Sequence, residues 1–340
     1  EDRDFQRKSE FQRRTEKMIH AKQIIVFLLS AWAWYGVFEL KNRYFIMTNE
    51  SFPGEKSNQK SLLFSHVGTS ADQNRLSKPE LAEIPYMFSE RIKVLCMVFT
   101  YYANYVIKAK HVMKTWGRRC DKIIFISSSF NKSNNADLPV IHLDVPEGRN
   151  FLWKKAQRAM EWAYVKHFDD FDWFLKADDD TFVVIENLKH FLSFQSTNRS
   201  IAIGSLFGNP RHGYLSGGSG YVLSRECLRQ LVEIGIKKRR CSKVPNRHED
   251  MYIGFCLSKL NTQYVDTRDN DGKWRFFPYA IEKFLYHGFS ATSWLRKYSY
   301  YSIPEGSQCC SNSAVSMHYV QPNRQYLYYY LLYQLKVMKT

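Results

Sequence analysis

From residue 91 onward the chain alternates short, wholly apolar runs with stretches whose apolar positions recur at helical spacing. Residues 94–99 read VLCMVF without a polar break, as expected of a strand buried on both faces. Residues 104–119 suit a helix, and residues 123–126 and 140–143 suit a second and a third strand. Leu152, Ala156, Ala159, Met160 and Ala163 then fall on one helical face, and residues 173–175 form a fourth strand. Strands alternating with helices predict an α/β domain with a mostly parallel sheet, whose ligand crevice lies at the strands' carboxyl ends. Beyond Cys241 the pattern gives one clear helix near residues 249–260 and then a loop-rich, aromatic stretch. The chain contains no internal repeat.

The N-terminal part follows different rules. Residues 24–38 carry no charged side chain. As a helix they would span about 22 Å, short for an average bilayer and suited to the thinner membranes of the early secretory pathway. Arg13, Arg14, Lys17 and Lys22 precede the run, opposed nearby by Glu16, and hold that end in the cytoplasm; Lys41 and Arg43 on the far side weaken the orientation signal. A buried soluble helix is the plainer alternative. Ala31-Trp32-Ala33 matches a signal-peptidase pattern, but more than twenty residues precede the run, and Trp34 and Tyr35 prolong it. The expected organisation is a cytoplasmic tail (1–23), an uncleaved signal anchor (24–40), a stem (41–91) and a single lumenal domain (92–340). The stem is polar, aperiodic and punctuated by Pro53, Gly54, Pro79 and Pro85.

Composition narrows the classes. A hydrophobic fraction of 44% over 340 residues excludes global disorder. The formal net charge of +16 suggests an anionic partner, while 16% aromatic residues argue against a basic low-complexity protein. Lys237-Lys238-Arg239-Arg240 could be read as a nuclear signal or nucleic-acid patch; on a lumenal chain it is a solvated surface, and no nucleic-acid partner is expected. The sequons at Asn49, Asn131 and Asn198 would be available in a lumen, and the same compartment permits disulfides among the seven cysteines.

Three constellations carry candidate chemistry. Lys176-Ala177-Asp178-Asp179-Asp180 directly follows the fourth strand. Aspartates commonly fill turns and caps, but here they sit where α/β ligands bind. Clustered carboxylates repel unless a cation neutralises them, and oxygen donors suit Mg²⁺ or Mn²⁺ bridging a diphosphate. The triplet therefore points to a nucleotide-sugar site. Residues 213–221, GYLSGGSGY, form a glycine-rich segment matching neither a P-loop nor a dinucleotide fingerprint; a turn between two strands explains it equally well. His248-Glu249-Asp250 opens the later helix, where acidic residues favour the N-terminus by default and a carboxylate could instead serve as a general base.

Taken together, these residues resemble the core 1 β1,3-galactosyltransferases, relatives of Fringe with a GT-A-type, Rossmann-like fold. The likeness rests on WFLKADDDT at 173–181, SGGSGYVLS at 216–224, Glu249-Asp250 with Gly254, Trp116 before Arg119-Cys120, and Glu147-Gly148-Arg149. Cys309-Cys310-Ser311 and AVSMHYV at 314–320 complete it, so that it spans roughly residues 92–325. It implies an inverting transfer of galactose from UDP-galactose to the 3-hydroxyl of GalNAc on Ser or Thr of glycoproteins. It also implies Mn²⁺ bound by Asp178, Asp180 and His318, and a donor site drawn from Thr100, Lys176, Asp178, Asp179, Gly217 and Gly218. Asp250 falls at the position of the base, with Glu249 beside it as the fallback, and Trp294 and Tyr300 fall on the acceptor side. The resemblance places the protein in the Golgi membrane as a single-pass type II protein, with a homodimer and a folding chaperone as further partners.

Tyr101-Tyr102 stand where a small turn is expected near the nucleotide, and Arg296 and Lys297 make the acceptor-side segment more basic than in the family. Connectivity does not follow from sequence alone; the expected pairs are Cys96 with Cys120 and Cys241 with Cys256, each flanking one strand–helix or loop–helix unit. Cys309-Cys310 would form a vicinal bridge, leaving Cys227 as the odd thiol. A non-enzymatic paralogue acting as a chaperone or lectin on the same scaffold is the competing expectation, as is a transferase with another donor or acceptor. Retention of Asp178, Asp180, Asp250 and His318 together argues against the non-enzymatic reading.

Overall fold

The computed structural model describes residues 91–128, 137–209, 211–244, 246–286, 289, 293–304 and 306–338. The expected tail, anchor and nearly all of the stem, with the sequons at Asn49 and Asn131, lie outside the described residues; Asn198 lies within them and is exposed. No helix among the described residues is long and apolar enough to cross a membrane.

The strands, in chain order, are β1 (Val94–Phe99), β2 (Lys122–Ser127), β3 (Val140–His142), β4 (Trp173–Asp178), β5 (Phe182–Val183) and β6 (Ile201–Gly204). They continue with β7 (Leu206–Phe207), β8 (Tyr214–Leu215), β9 (Tyr221–Ser224), β10 (Gln263–Tyr264), β11 (Phe276–Phe277) and β12 (Ser316–Met317). The helices are α1 (Lys110–Lys114), α2 (Leu152–His167), α3 (Ile185–Leu192) and α4 (Arg225–Gln230), then α5 (Glu249–Lys259), α6 (Ile281–Tyr286), α7 (Trp294–Tyr298) and α8 (Pro322–Tyr333). Seven strands make the central sheet in the order β10-β6-β9-β4-β1-β2-β3. Every pairing is parallel except those of β9, which runs against both β4 and β6. The mixed α/β architecture with a mostly parallel sheet is the one the pattern predicts.

The uninterrupted apolar run of β1 has a direct structural cause. Val94, Cys96 and Val98 face one core layer, while Leu95, Met97 and Phe99 face the other. The second layer is closed by α2, whose Ala156, Ala159, Met160 and Ala163 are all buried, together with α4 and α5. The first is closed by α3, α8 and a small sheet ordered β11-β12-β5. In this small sheet β12 pairs with β5, the strand that follows the turn after β4, so that the far end of the sequence reaches the carboxyl end of β4.

Two expectations change. The helix expected over 104–119 is broken into a π turn (Tyr105–Ala109), α1, and a 3-10 turn (Trp116–Arg119). Thr115 hydroxyl donates to the His111 carbonyl at 2.7 Å, and the buried Trp116 indole donates to the Thr181 carbonyl at 2.9 Å. A local side-chain bond and a tertiary anchor together override the helical period. In the stretch expected to be loop-rich, residues 322–333 form α8, whose tyrosines and leucines together surround the helix and so present no clean 3.6-residue pattern. Disulfides join Cys96 to Cys120, Cys241 to Cys256 and Cys309 to Cys310, and Cys227 is a buried free thiol. Lys237 through Arg240 are exposed.

Candidate active site

β4 continues three residues past its apolar core, so that Asp178 is its last residue and Asp179 and Asp180 form the turn that follows. Thr181 holds this turn: its hydroxyl accepts from the Asp178 amide at 3.1 Å and donates to the Gly218 carbonyl at 2.8 Å. The three carboxylates then diverge. Asp178 takes the Lys176 ammonium on one oxygen at 2.8 Å and lies 3.9 Å from His318 Nε2 with the other. Asp180 takes the Lys108 ammonium at 3.0 Å on one oxygen and places the other 3.2 Å from the same imidazole nitrogen. Both carboxylates therefore reserve one oxygen for a lysine and turn the other toward His318. One ligand atom from each of Asp178, Asp180 and His318 lies within 4.8 Å of the others, a set that could hold a single metal ion.

Asp179 faces the other way. It is buried, and one of its oxygens accepts from Thr100 Oγ1 at 2.8 Å and from Asn104 Nδ2 at 2.7 Å. Burial pushes its carboxyl up to about 6, against the pull of Lys108 and these two donors. For Asp180 burial also opposes the charge, but His318 and Lys108 outweigh it and hold the carboxyl well below the usual range.

His318 reaches the cluster from 138 positions downstream of Asp180 because β12 lies antiparallel to β5, immediately after the triplet. Its amide donates to the Phe277 carbonyl at 3.1 Å, and the Val320 amide donates to the Asp180 carbonyl at 2.9 Å. Its ring stacks on Tyr319, with centroids 3.8 Å apart. Gly218 is the counterpart of this placement. A Cβ there would fall 2.1 Å from the imidazole, so only glycine lets His318 approach.

Lys176 ties this cluster to the second acidic pair. Its buried ammonium donates to the Gly217 carbonyl at 3.1 Å and lies 3.4 Å from Glu249 Oε2, besides its bond to Asp178. Burial would lower its pKa, but Asp178, Glu249 and Asp250 more than offset this and raise it. Glu249 is buried and receives the Tyr221 hydroxyl at 2.6 Å, with its own pKa raised by burial against the opposing pull of Lys176. Asp250, next in sequence, is half-buried, and its Oδ2 accepts from the Gly217 amide at 3.3 Å. Its Oδ1 accepts from the Met251 amide at 2.9 Å, so that the first turn of α5 offers one buried carboxylate held by side chains and one half-buried carboxylate held by backbone amides alone. The helix is seated by Gly254, where a Cβ would lie 2.3 Å from Tyr214 Cβ.

Ten of the singled-out residues thus form one network: Thr100, Lys176, Asp178, Asp179, Asp180, Gly217, Gly218, Glu249, Asp250 and His318. Trp294 connects to it through aromatic neighbours. It is 46% exposed, its indole donates to the Tyr279 hydroxyl at 2.8 Å, and Tyr279 packs on Tyr319 at 5.4 Å. Tyr300 is not drawn into this chain; it packs on Tyr301 and bonds the Leu206 carbonyl through its amide. Tyr101 and Tyr102 are exposed beside Thr100, and Arg296 donates to the Phe289 carbonyl.

Sequence reasoning missed Lys108, Asn104 and Lys155. Lys108 and Asn104 lie beyond Thr100, in and just before a π turn, where no motif marks them. Lys155 is buried, donates to the Thr100 carbonyl at 2.5 Å, and has its pKa lowered by burial. The signal was available in part, since Lys155 interrupts the apolar face of α2 next to Ala156.

Comparison with known proteins gives an independent line. A family model described as Fringe-like matches residues 102–269. Glycoprotein-N-acetylgalactosamine 3-beta-galactosyltransferase 1 of Xenopus laevis is 37% identical over 262 residues, covering 76% of this chain and 71% of the relative. Human Beta-1,3-glucosyltransferase is 28% identical over 153 residues, covering 44% of this chain and 29% of its own length. Human Chondroitin sulfate synthase 3 is 27% identical over 175 residues, covering 46% of this chain and 20% of its own.

Proposed function

The chain belongs to the core 1 β1,3-galactosyltransferase family, and we propose that it transfers galactose from UDP-galactose to the 3-hydroxyl of GalNAc on Ser or Thr of glycoproteins. The observation that carries this reading is the pairing of the Asp178–Asp180–His318 cluster with Asp250 through Lys176 and Gly217. A divalent cation bound by those three residues would offset the negative charge of the departing diphosphate, and a donor set of two oxygens and one nitrogen favours Mn²⁺.

The chain's own groups supply the rest. The lone pair of the GalNAc O3 attacks the galactose anomeric carbon as the bond to the UDP oxygen breaks on the opposite face, inverting the centre. The O3 proton goes to Asp250, which is half-buried and whose oxygens accept only the Gly217 and Met251 amides, whereas Glu249 is buried with its oxygens on the Tyr221 hydroxyl and the Lys176 ammonium. Lys176 positions both acidic groups, since one ammonium touches Asp178, Glu249 and the Gly217 carbonyl. Thr100, Asp179, Gly217 and Gly218 border the donor side. Trp294 and Tyr300 both offer exposed aromatic surface for the acceptor sugar. We place the domain in the Golgi lumen, tethered by the anchor at residues 24–40 through the stem, with the tail in the cytoplasm.

The test is transfer of labelled galactose to a GalNAc-Thr peptide with and without chelator. Activity should vanish with chelator and return with Mn²⁺. Asp180→Ala should abolish it at a temperature where the variant is still folded, with a lowered Tm because the Lys108 and His318 contacts are lost; full activity in Asp180→Ala would overturn the metal-site assignment.

A further inference from the structure

A crevice of about 550 Å³ lies outside the network described above, between α1 with its following 3-10 turn and α8. One wall carries Lys114 and Arg118, the other Tyr326, Tyr329, Tyr330 and Gln334. Lys114 and Arg118 are exposed and have no acidic partner among the described residues, and no acidic side chain lines the crevice. The nearby acids are otherwise engaged: Glu186 pairs with Arg119 and the Tyr333 hydroxyl, and Asp121 with Lys189.

Both walls lead back to the donor site. The turn that precedes α1 carries Lys108, which binds Asp180. α8 begins three residues after Tyr319 and sends the Gln325 amide to the Thr181 carbonyl at 3.2 Å. His111 and Tyr326, in contact at 3.1 Å, join the two walls.

We propose that this crevice is an exosite for an acidic peptide segment of the acceptor glycoprotein, engaged while GalNAc elsewhere on that chain occupies the active site. The inference rests on the galactosyltransferase reading for the identity of the acceptor. The chemistry of recognition is local. Two unpaired cations attract carboxylates, and the tyrosine rings and Gln334 amide supply aromatic surface and hydrogen bonds to an extended backbone. A concave, partly polar crevice suits a peptide chain better than a lipid surface, which calls for a flat apolar face.

The experiment compares GalNAc-Thr peptides carrying Glu-rich, neutral and Lys-rich flanks, using the wild-type chain, a Lys114→Glu/Arg118→Glu double variant and Tyr330→Ala. The double variant should raise KM for the Glu-flanked peptide by about tenfold and leave kcat and the neutral peptide's KM unchanged. Tyr330→Ala should weaken the same peptide by a smaller factor, and the wild-type preference should fade at high salt. Fluorescence anisotropy with a Glu-rich peptide lacking GalNAc reads the crevice independently of catalysis. If that peptide binds wild type and not the double variant, the exosite stands even where no galactose is transferred, and only the proposed activity fails. Equal binding of acidic and neutral peptides, or an acidic preference that survives charge reversal, overturns it. Loss of phosphatidylserine-vesicle binding in the double variant with peptide kinetics unchanged would identify a lipid-facing surface instead and would likewise overturn it.

Discussion

Glu249 and Asp250 are neighbours with opposite surroundings, and that contrast makes their substitutions separable. Glu249 is buried against Lys176 and the Tyr221 hydroxyl. Glu249→Gln leaves the Lys176 ammonium without one of its carboxylates, and breaking a buried pair costs roughly 3–5 kcal/mol. Because Asp178 and the Gly217 carbonyl still hold Lys176, the expected outcome is a clearly lowered Tm with substantial transfer remaining at low temperature. Asp250→Asn preserves shape and can still accept the Gly217 amide, but it cannot take a proton at neutral pH. Its rate should fall about 10²–10⁴-fold with Tm and donor binding nearly unchanged. Calorimetry beside steady-state kinetics on the two variants checks this. A dead Glu249→Gln and an active Asp250→Asn would exchange the roles.

At the scale of elements, the site depends on β12 bringing His318 up against the glycine-rich turn between β8 and β9. Gly218→Ala would push a methyl into the imidazole, so we expect about 1–3 kcal/mol of lost stability and at least about tenfold weaker Mn²⁺ binding. Metal titration followed by paramagnetic resonance reads the second effect; unchanged affinity would mean that His318 does not ligate. The same element explains what sequence could and could not convey. β1, β2 and β4 were legible because a strand buried on both faces writes itself as an unbroken apolar run. The placement of Asp178 at a strand end followed from that run directly. His318 was one of ten histidines, and only a resemblance distinguished it, since a contact across β12 and β5 leaves no local pattern. Lys108 was illegible for the same reason, and the fracture of the expected 104–119 helix came from the Thr115 hydroxyl bonding back to the His111 carbonyl and from Trp116 bonding to Thr181 outside the segment. The divergence of Asp179 from its two neighbours required the positions of Thr100 and Asn104, more than seventy residues away.

For the whole molecule, the Cys96–Cys120 bond fastens the buried strand β1 to the end of the 3-10 turn that carries Trp116 into the first core layer. Replacing both cysteines with alanine should cost about 2–5 kcal/mol of stability without changing metal affinity, as thermal unfolding beside a metal titration would show. One domain assembles a candidate metal-ligand set, a linking lysine and a half-buried carboxylate suited to sugar transfer. The most direct test of this arrangement is to incubate the purified chain with UDP-galactose, Mn²⁺ and a GalNAc-Thr peptide and to determine the product by nuclear magnetic resonance. The expected product carries galactose attached through a β linkage to O3 of GalNAc. An α linkage, attachment at another hydroxyl, or no transfer while UDP-galactose is bound would contradict it.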